Sequence, residues 1–297
     1  MYKDVIGMLL INFDNCELSS KQYGGSERKI GIIINGIEYM LKFQKKTAFA
    51  LRNNTLSEYI GSHVCGLLGL ECQETYLGTY KNEYVVACKN FINNDVIFVP
   101  FNDVGESSLE IDKNKYKYTY DDIIQLLLKN KKITNVEETI SAFFDLYIVD
   151  ALLGNFDRHG SNWGFLKNNN KYSLAPVFDN GSCLYPSLTN EDEMRLVLEN
   201  ENEINKRVYT FPTSQIKMKN NKSSYYEVIS SLQFEEINKA LLRIYPRIKI
   251  NEIDALIDDI SIISDTHKLF YKTMIKNRYE KIIKYSYDKL RGKNENI

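Results

Sequence analysis

The stretch Asn155-Phe156-Asp157-Arg158-His159-Gly160-Ser161-Asn162, with Phe178-Asp179-Asn180-Gly181 after it, decides how this chain is read. Between the two lie Trp163–Lys167, an Asn-rich turn and Tyr172–Val177, a pattern that predicts a short hairpin. Phosphoryl transfer asks little covalent chemistry of a protein. It asks that phosphates and metal be held still, that developing charge be neutralised and that the attacking hydroxyl be oriented. An aspartate on a loop can take or orient the hydroxyl proton. An asparagine further along can turn back and give magnesium its amide oxygen, and a second carboxylate brought in by a hairpin can bridge the phosphates through the same ion. Asp157, Asn162 and Asp179 have that chemistry in that order. Singly they are turn residues; the combination with His159, the hairpin and Phe-Asp-x-Gly is what makes the pattern specific. His159 fits the architecture of the loop, orienting Asp157 or meeting phosphate, with no proton transfer assigned to it.

Upstream, the first third reads as strands with one helix. Ile30–Ile34 and Ile37–Phe43 flank Asn35-Gly36, the strongest short-range hairpin signal. In the second of these strands Ile37, Tyr39, Leu41 and Phe43 share one face, and Glu38, Met40 and Lys42 the other. Lys42 therefore points away from the apolar face, where a cleft would bring it to phosphates; the alternative is a lysine facing solvent. Tyr23-Gly24-Gly25-Ser26 precedes the first strand, and its glycines would let backbone N–H groups approach phosphate oxygens. Ser26 is a candidate for self-phosphorylation that would block nucleotide entry by charge and bulk. Thr55–Leu68 has apolar residues at helical spacing, with Glu58 opening the helix where it can pair with Lys42. A second hairpin, Cys72–Gly78 and Glu83–Phe91, turns near Lys81-Asn82. It ends at Cys88, Lys89, Asn90 and Phe91, where an adenine would bond to exposed backbone.

Ile92–Lys117 reads as a connector, and the chain then turns helical. Thr119 and Thr134 are predicted N-caps, the latter in a capping box with Glu137. Val136–Leu153 is one long helix. Asp179–Ser224 is polar and irregular with one helix near Glu191–Glu199, and three more are expected near Tyr225–Tyr245, Asn251–Ser264 and Thr266–Leu290. His63 and His267 are read as ordinary surface or core histidines, and Trp163 and Phe165 as packing beneath the loop. The expected fold is α+β and bilobal, kinase-like, with a β-rich lobe over residues 1–92 and a helical lobe over 93–297.

Composition narrows the function. Lys and Arg (38) nearly cancel Asp and Glu (39), for a net charge of -1, so nothing supports a nucleic-acid partner. Five scattered cysteines without a C-x-x-C pair, and three histidines, argue against structural zinc and for free thiols in a reducing compartment. No apolar run suits a membrane span or a signal segment. The expectation is a cytoplasmic protein, delivery to another cell as an effector being the alternative.

On Asn155-x-Asp157-x-His159-x-x-Asn162 and Ala175-Pro176-Val177-Phe178-Asp179 the chain resembles the HipA-like serine/threonine kinases, in their short, stand-alone CtkA-type form. The resemblance extends to Gly24-Gly25, Lys42, the Ser57-Glu58-Tyr59-Ile60 helix start and the Cys88–Phe91 hinge. It implies ATP and Mg2+ as cofactors, Asp157 as catalytic base, Asn162 and Asp179 as magnesium ligands and Lys42 as the phosphate lysine. The HipA toxins carry a further N-terminal subdomain, whereas here the phosphate loop begins at Tyr23. The expected partner is a protein substrate, a small antitoxin-like protein being what the toxins would add. Two other functions remain. A phosphoinositide-type lipid kinase would show a basic segment after Asp179, but Asn180–Asn205 holds six Asp and Glu and only Arg195. A nucleotide-binding pseudokinase acting as an interaction module would bind ATP without transfer.

Overall fold

The computed structural model describes residues 10–24, 27–48, 50–92, 95–104, 119–218 and 221–294. Its first part is a six-stranded sheet. β1 (Ile11–Asn12), β2 (Glu17–Leu18), β3 (Lys29–Ile34) and β4 (Ile37–Phe43) precede helix α1 (Asn54–Leu67), and β5 (Thr75–Tyr80) and β6 (Glu83–Lys89) follow it. The strands lie in the order β1-β5-β6-β4-β3-β2, antiparallel except for β1 on β5. Both hairpin turns form where Asn35-Gly36 and Lys81-Asn82 place them. Each has two consecutive residues at positive φ, the backbone twist that suits a two-residue hairpin.

The sheet is covered on both faces. Tyr39, Leu41 and Phe43 join Phe13, Ile32, Tyr80, Val85 and Ala87 in a small outer core, with Arg28 stacked 3.5 Å over the Phe43 ring. Ile37, at the start of the same face, stays exposed. Val86 and Cys88 face the other way, into the main core with Leu56, Ile60 and Val64 of α1. Lys42, paired across the ladder with Val86, is 4% exposed. It is a buried lysine, not one facing solvent.

β7 (Ile97–Pro100) and α2 (Phe101–Val104) follow β6, then α3 (Tyr120–Lys129) and α4 (Val136–Leu153). Thr119 caps α3 in a capping box closed by Asp122. The cap of α4 is Asn135, which accepts from the Glu138 N–H, one residue later than the expected Thr134–Glu137 box. α4 is buried on nearly every side, as a helix apolar all round should be. It ends at Gly154 in the left-handed conformation at φ 64°, with the cap N–H on the Asp150 carbonyl. That conformation suits glycine and turns the chain straight into the loop 155–162.

The predicted hairpin is β8 (Gly164–Asn168) and β9 (Lys171–Leu174), and β7 pairs on its other side to make three strands. The segment after Asp179 is more ordered than its polarity suggests. α5 (Glu191–Leu198) and α6 (Glu201–Asn205) lead through a π turn at Lys206–Thr210 into the hairpin β10 (Thr213–Met218) and β11 (Asn221–Ser224). The expected helix Tyr225–Tyr245 is two, α7 (Tyr225–Ser231) and α8 (Glu235–Ile244), parted where Leu232 turns left-handed. α9 (Ile250–Asp258), α10 (Asp265–Arg278) and α11 (Tyr285–Asn294) complete the chain, a π turn at Tyr279–Lys284 joining the last two. All five cysteines are free thiols. Among the described residues no helix is long and apolar enough to cross a membrane.

Candidate active site

The strand β4 and the helix α1 bring the first pair together. Lys42 Nζ lies 2.7 Å from Glu58 Oε2 and 2.9 Å from Asp179 Oδ1. Burial would lower the Lys42 pKa, but the Asp179 and Glu58 carboxylates outweigh it and hold the ammonium well above its usual value. Burial would likewise raise Asp179, yet the Lys42 charge and hydrogen bond hold that carboxyl down at about 2. Both groups are therefore ionised at neutral pH. Glu58 lies in the second turn of α1, not at its opening, and its Oε1 accepts the Asn180 N–H at 3.0 Å. One glutamate thus fixes the lysine and the backbone just after Asp179. Asp179 itself sits at φ 57°, a conformation uncommon for a residue with a side chain and one that local contacts must hold.

The loop 155–162 is wound around its own bonds. Asn155 Oδ1 accepts the Asp157 N–H at 3.0 Å, and Asn162 Nδ2 donates to the Asp157 carbonyl at 2.7 Å. That bond takes the amide nitrogen and leaves Oδ1 as the side chain's acceptor. The Asp157 carboxyl is 46% exposed at the mouth of the loop. Burial of its other surface raises its pKa, the His159 ring opposes this and the Asp179 charge adds to it. His159 Nδ1 lies 3.2 Å from the Ser161 backbone N, and its Nε2 stands 3.8 Å from Asp157 Oδ1. That distance is electrostatic contact and not a hydrogen bond.

Arg158, which the sequence reading passed over, joins the loop to the segment carrying Asp179. Its guanidinium, 6% exposed, meets Asp150 of α4 at 2.9 and 3.1 Å and donates to the Asn162 carbonyl at 2.9 Å. It also donates to the Phe178 carbonyl at 2.5 Å and to Asn180 Oδ1 at 2.6 Å. Asn162 and the Phe178–Asn180 strip are thus a single guanidinium apart. Asn155 Nδ2 adds a bond to Asp150 at 2.9 Å. Asp150 was the available signal, an acid amid the apolar end of α4.

The remaining predicted residues fall as follows. Gly24 is in the open between β2 and β3, its carbonyl accepting from Lys29 Nζ at 2.9 Å; Gly25 and Ser26 lie outside the described residues. At the expected hinge Cys88 is buried, the Lys89 N–H and carbonyl are taken by Glu74 and Gln73, and the Asn90 N–H by Glu38. The Phe91 ring packs against Phe178 and Phe98, at 5.6 and 6.2 Å between centroids, an aromatic group that sequence alone did not indicate. His63 and His267 are away from this cluster. His63 Nδ1 contacts its own helix at the Tyr59 carbonyl, and burial lowers His267 to about 4, so it stays neutral.

A buried lysine–glutamate pair on a curled sheet, facing a loop with aspartate and asparagine and a second aspartate behind a hairpin, is the architecture of a kinase. A family model for the HipA-like C-terminal domain matches residues 22–248. The chain is 39% identical over 285 residues, 93% of its length and 87% of the relative's, to the serine/threonine-protein kinase CtkA of Helicobacter pylori strain J99. The crystal structure of the Helicobacter pylori proinflammatory kinase CtkA superposes with a TM-score of 0.89 at 37% identity, covering 96% of this chain and 98% of that one. HipA of Shewanella oneidensis MR-1, seen with HipB and operator DNA, shares the fold at a TM-score of 0.58 and 15% identity over 94% of this chain and 68% of its own. The chain belongs to the HipA-like family, and the enzyme class it shares with its 39% identical relative is that of the serine/threonine-protein kinases.

Proposed function

We propose that the protein transfers the γ-phosphoryl group of ATP to a serine or threonine hydroxyl of a protein, with a division between a nucleotide-holding lobe and a catalytic lobe near residue 92. The observation that carries this is Lys42 held between Glu58 and Asp179, since a lysine fixed in this way presents one positive charge at a defined point of the cleft. Lys42 pairs with the phosphates. Adenine enters beside Phe91 and Phe178 and uses the Asn90 carbonyl and Phe91 N–H, to which no hydrogen bond is made among the described residues. The Asp157 carboxylate takes the proton of the acceptor hydroxyl as its oxygen bonds to γ-phosphorus and the bond to the ADP oxygen breaks. His159 stands beside Asp157 and opposes part of the rise that burial gives its pKa, and Arg158 holds the two loops in register.

Asn162 Oδ1 and the ionised Asp179 carboxyl are hard oxygen donors that suit Mg2+, and no group of three or more His, Cys, Asp or Glu able to hold a metal occurs among the described residues. A site with so few protein ligands fits an ion that takes the rest of its shell from phosphates and water. When bound, the ion would neutralise charge on the phosphates. The reading extends to transfer onto the protein's own Ser26 and makes a protein substrate the partner. Transfer of labelled γ-phosphate to a mixed protein substrate is the test. Wild type should label and Asp157→Asn should not; equal labelling by the two would remove Asp157 from the chemistry. Label on Ser26 after incubation with ATP, read by mass spectrometry, would establish self-transfer.

A further inference from the structure

Beside the catalytic loop the surface opens into a cavity of about 610 Å3 walled by Phe156, Tyr185, Pro186, Leu188 and Phe211, with Lys206 and Arg207, both paired to Glu203, at its edge. Phe156 immediately precedes Asp157, so the cavity begins one residue from the proposed base. Its walls are fixed in place. The Phe156 carbonyl accepts from Gln215 Nε2 at 3.1 Å, and the Pro186 carbonyl from the Asn53 N–H at 2.8 Å. The Tyr185 hydroxyl donates to the Arg207 carbonyl at 2.6 Å. Yet Phe211, 5.7 Å from Phe156 between ring centroids, is left 47% exposed. An aromatic ring held open to solvent beside a catalytic loop is apolar surface awaiting cover.

A second cavity, of about 580 Å3, shares Leu188 and Arg207 with the first and continues along α5 past Leu196 and Val197. Its rim is acidic, with Glu193, Glu199 and Glu203. Glu203 is spent on Lys206 and Arg207, at 2.5 and 2.8 Å. Glu193 and Glu199 form no salt bridge among the described residues, and Arg195, the one base in this stretch, is committed to Glu191 and Asp192.

We propose that the two cavities form one groove for the protein substrate. The first takes a bulky apolar side chain within about three residues of the acceptor hydroxyl, a spacing set by the reach of an extended chain. The second takes an arginine or lysine further out on the same side. Charge complementarity selects this occupant, because the groove joins an open apolar wall near the base to two uncompensated carboxylates beyond it. A lipid head group or an acidic segment would meet like charge at Glu193 and Glu199 in the second cavity. The inference rests on the kinase reading above and adds to it the class of sequence that is phosphorylated.

A positional-scanning library of serine and threonine peptides, phosphorylated by the wild-type protein, tests it. The expected result is selection of Leu, Ile, Met or Phe over Ala by on the order of tenfold or more at one position near the acceptor. Arg and Lys should be favoured at a second position on the same side. Phe211→Asp and, from a separate segment, Leu188→Ala should bring the apolar selection toward unity. The double variant Glu193→Lys, Glu199→Lys should turn the basic preference into an acidic one. Active enzyme with flat selection at every position overturns the groove and leaves the kinase reading standing. Absence of transfer to any peptide counts against the kinase reading, and the groove is then judged by binding alone. A fluorescein-labelled apolar–basic peptide should bind the Asp157→Asn protein and lose affinity on addition of Phe211→Asp; equal anisotropy with and without Phe211→Asp overturns it.

Discussion

Replacing Arg158 by alanine removes the group on which loop 155–162 and the Asp179 strip both hang. Its guanidinium makes two contacts with Asp150 and one each with the Asn162 carbonyl, the Phe178 carbonyl and Asn180 Oδ1. Counted at about 1.5–3 kcal/mol for each charged hydrogen bond, these would rival the stability of a whole domain, so bond counting is the wrong measure. What matters is the state left behind. Asp150, with a side chain 3% exposed, would keep the Asn155 Nδ2 bond and lose its only ion-pair partner among the described residues. Breaking a buried pair in this way costs about 3–5 kcal/mol. Asp150→Asn placed on Arg158→Ala removes the orphan charge and should restore about 1–3 kcal/mol relative to Arg158→Ala alone, a coupling of the size found for residues in direct contact. Urea unfolding followed by fluorescence of Trp163, the single tryptophan and a buried one, measures both. Under conditions where Arg158→Ala is still folded, phosphoryl transfer should fall by about 100-fold or more, because Asn162 and Asp179 lose their shared anchor. A loss of stability under about 1 kcal/mol, or a double variant no better than the single, would refute this account.

Other perturbations probe the same frame. Gly61→Ala should cut activity despite the higher helix propensity of alanine, since its Cβ would stand 2.4 Å from Asn180 Cβ and push the strip after Asp179 off α1; unchanged kcat with unchanged stability would show that the strip has slack. Lys42→Ala should lower kcat/KM by a few powers of ten, about 3–5 kcal/mol of transition-state stabilisation, as read from initial rates. Asp157 must be ionised to act as base and its pKa is raised, so activity should fall with decreasing pH at a higher pH than an ordinary aspartate would give. His159→Gln removes the group that opposes the rise and should move this acid limb upward in the kcat/KM profile; a limb that stays put removes His159 from that role. Asp179 is held at about 2, so the stability it supplies is full above the ordinary aspartate pKa and fades as pH drops below about 4. The gap in urea midpoint between wild type and Asp179→Asn should close over that range.

The legible parts of the fold were those with local causes. Asn35-Gly36 dictates its hairpin because consecutive positive-φ residues match strand twist, and the alternation in Ile37–Phe43 already placed Lys42 opposite the apolar face. Asp157, Asn162 and Asp179 are common turn residues singly, and it was their order around a hairpin, with His159 and Phe-Asp-x-Gly, that made them candidates. Glu58 was found for its charge, but its turn was misjudged: α1 begins at Asn54, and the residue lies one turn in, where it meets Lys42 and the Asn180 N–H. The rest depended on contacts far apart in sequence. Nothing near Arg158 announces that it will meet Asn180, and nothing near Gly61 announces that a strip more than a hundred residues later will pass over it. The break at Leu232 escaped for the opposite reason. Ile229 and Ile237, both buried, keep helical spacing across it, and no glycine or proline marks the turn.

These long-range contacts form one chain. Lys42 on β4 meets Glu58 on α1, Glu58 meets the Asn180 backbone, the Asn180 side chain meets Arg158, and Arg158 meets Asp150 on α4. Each inner member has a partner on either side, so a shift at either end must be passed on or must leave a buried polar group unsatisfied, which costs about 1–3 kcal/mol. α1 is the stiff link, because it also holds the following segment through Ser57 Oγ on the Cys183 carbonyl at 2.7 Å and the Asn53 N–H on the Pro186 carbonyl. Pro186 is a wall of the proposed substrate groove, and Lys42 is the proposed phosphate contact. One helix therefore sets the distance between the two ends of the reaction, nucleotide and acceptor. A ligand that moves α1 would have to disturb both together.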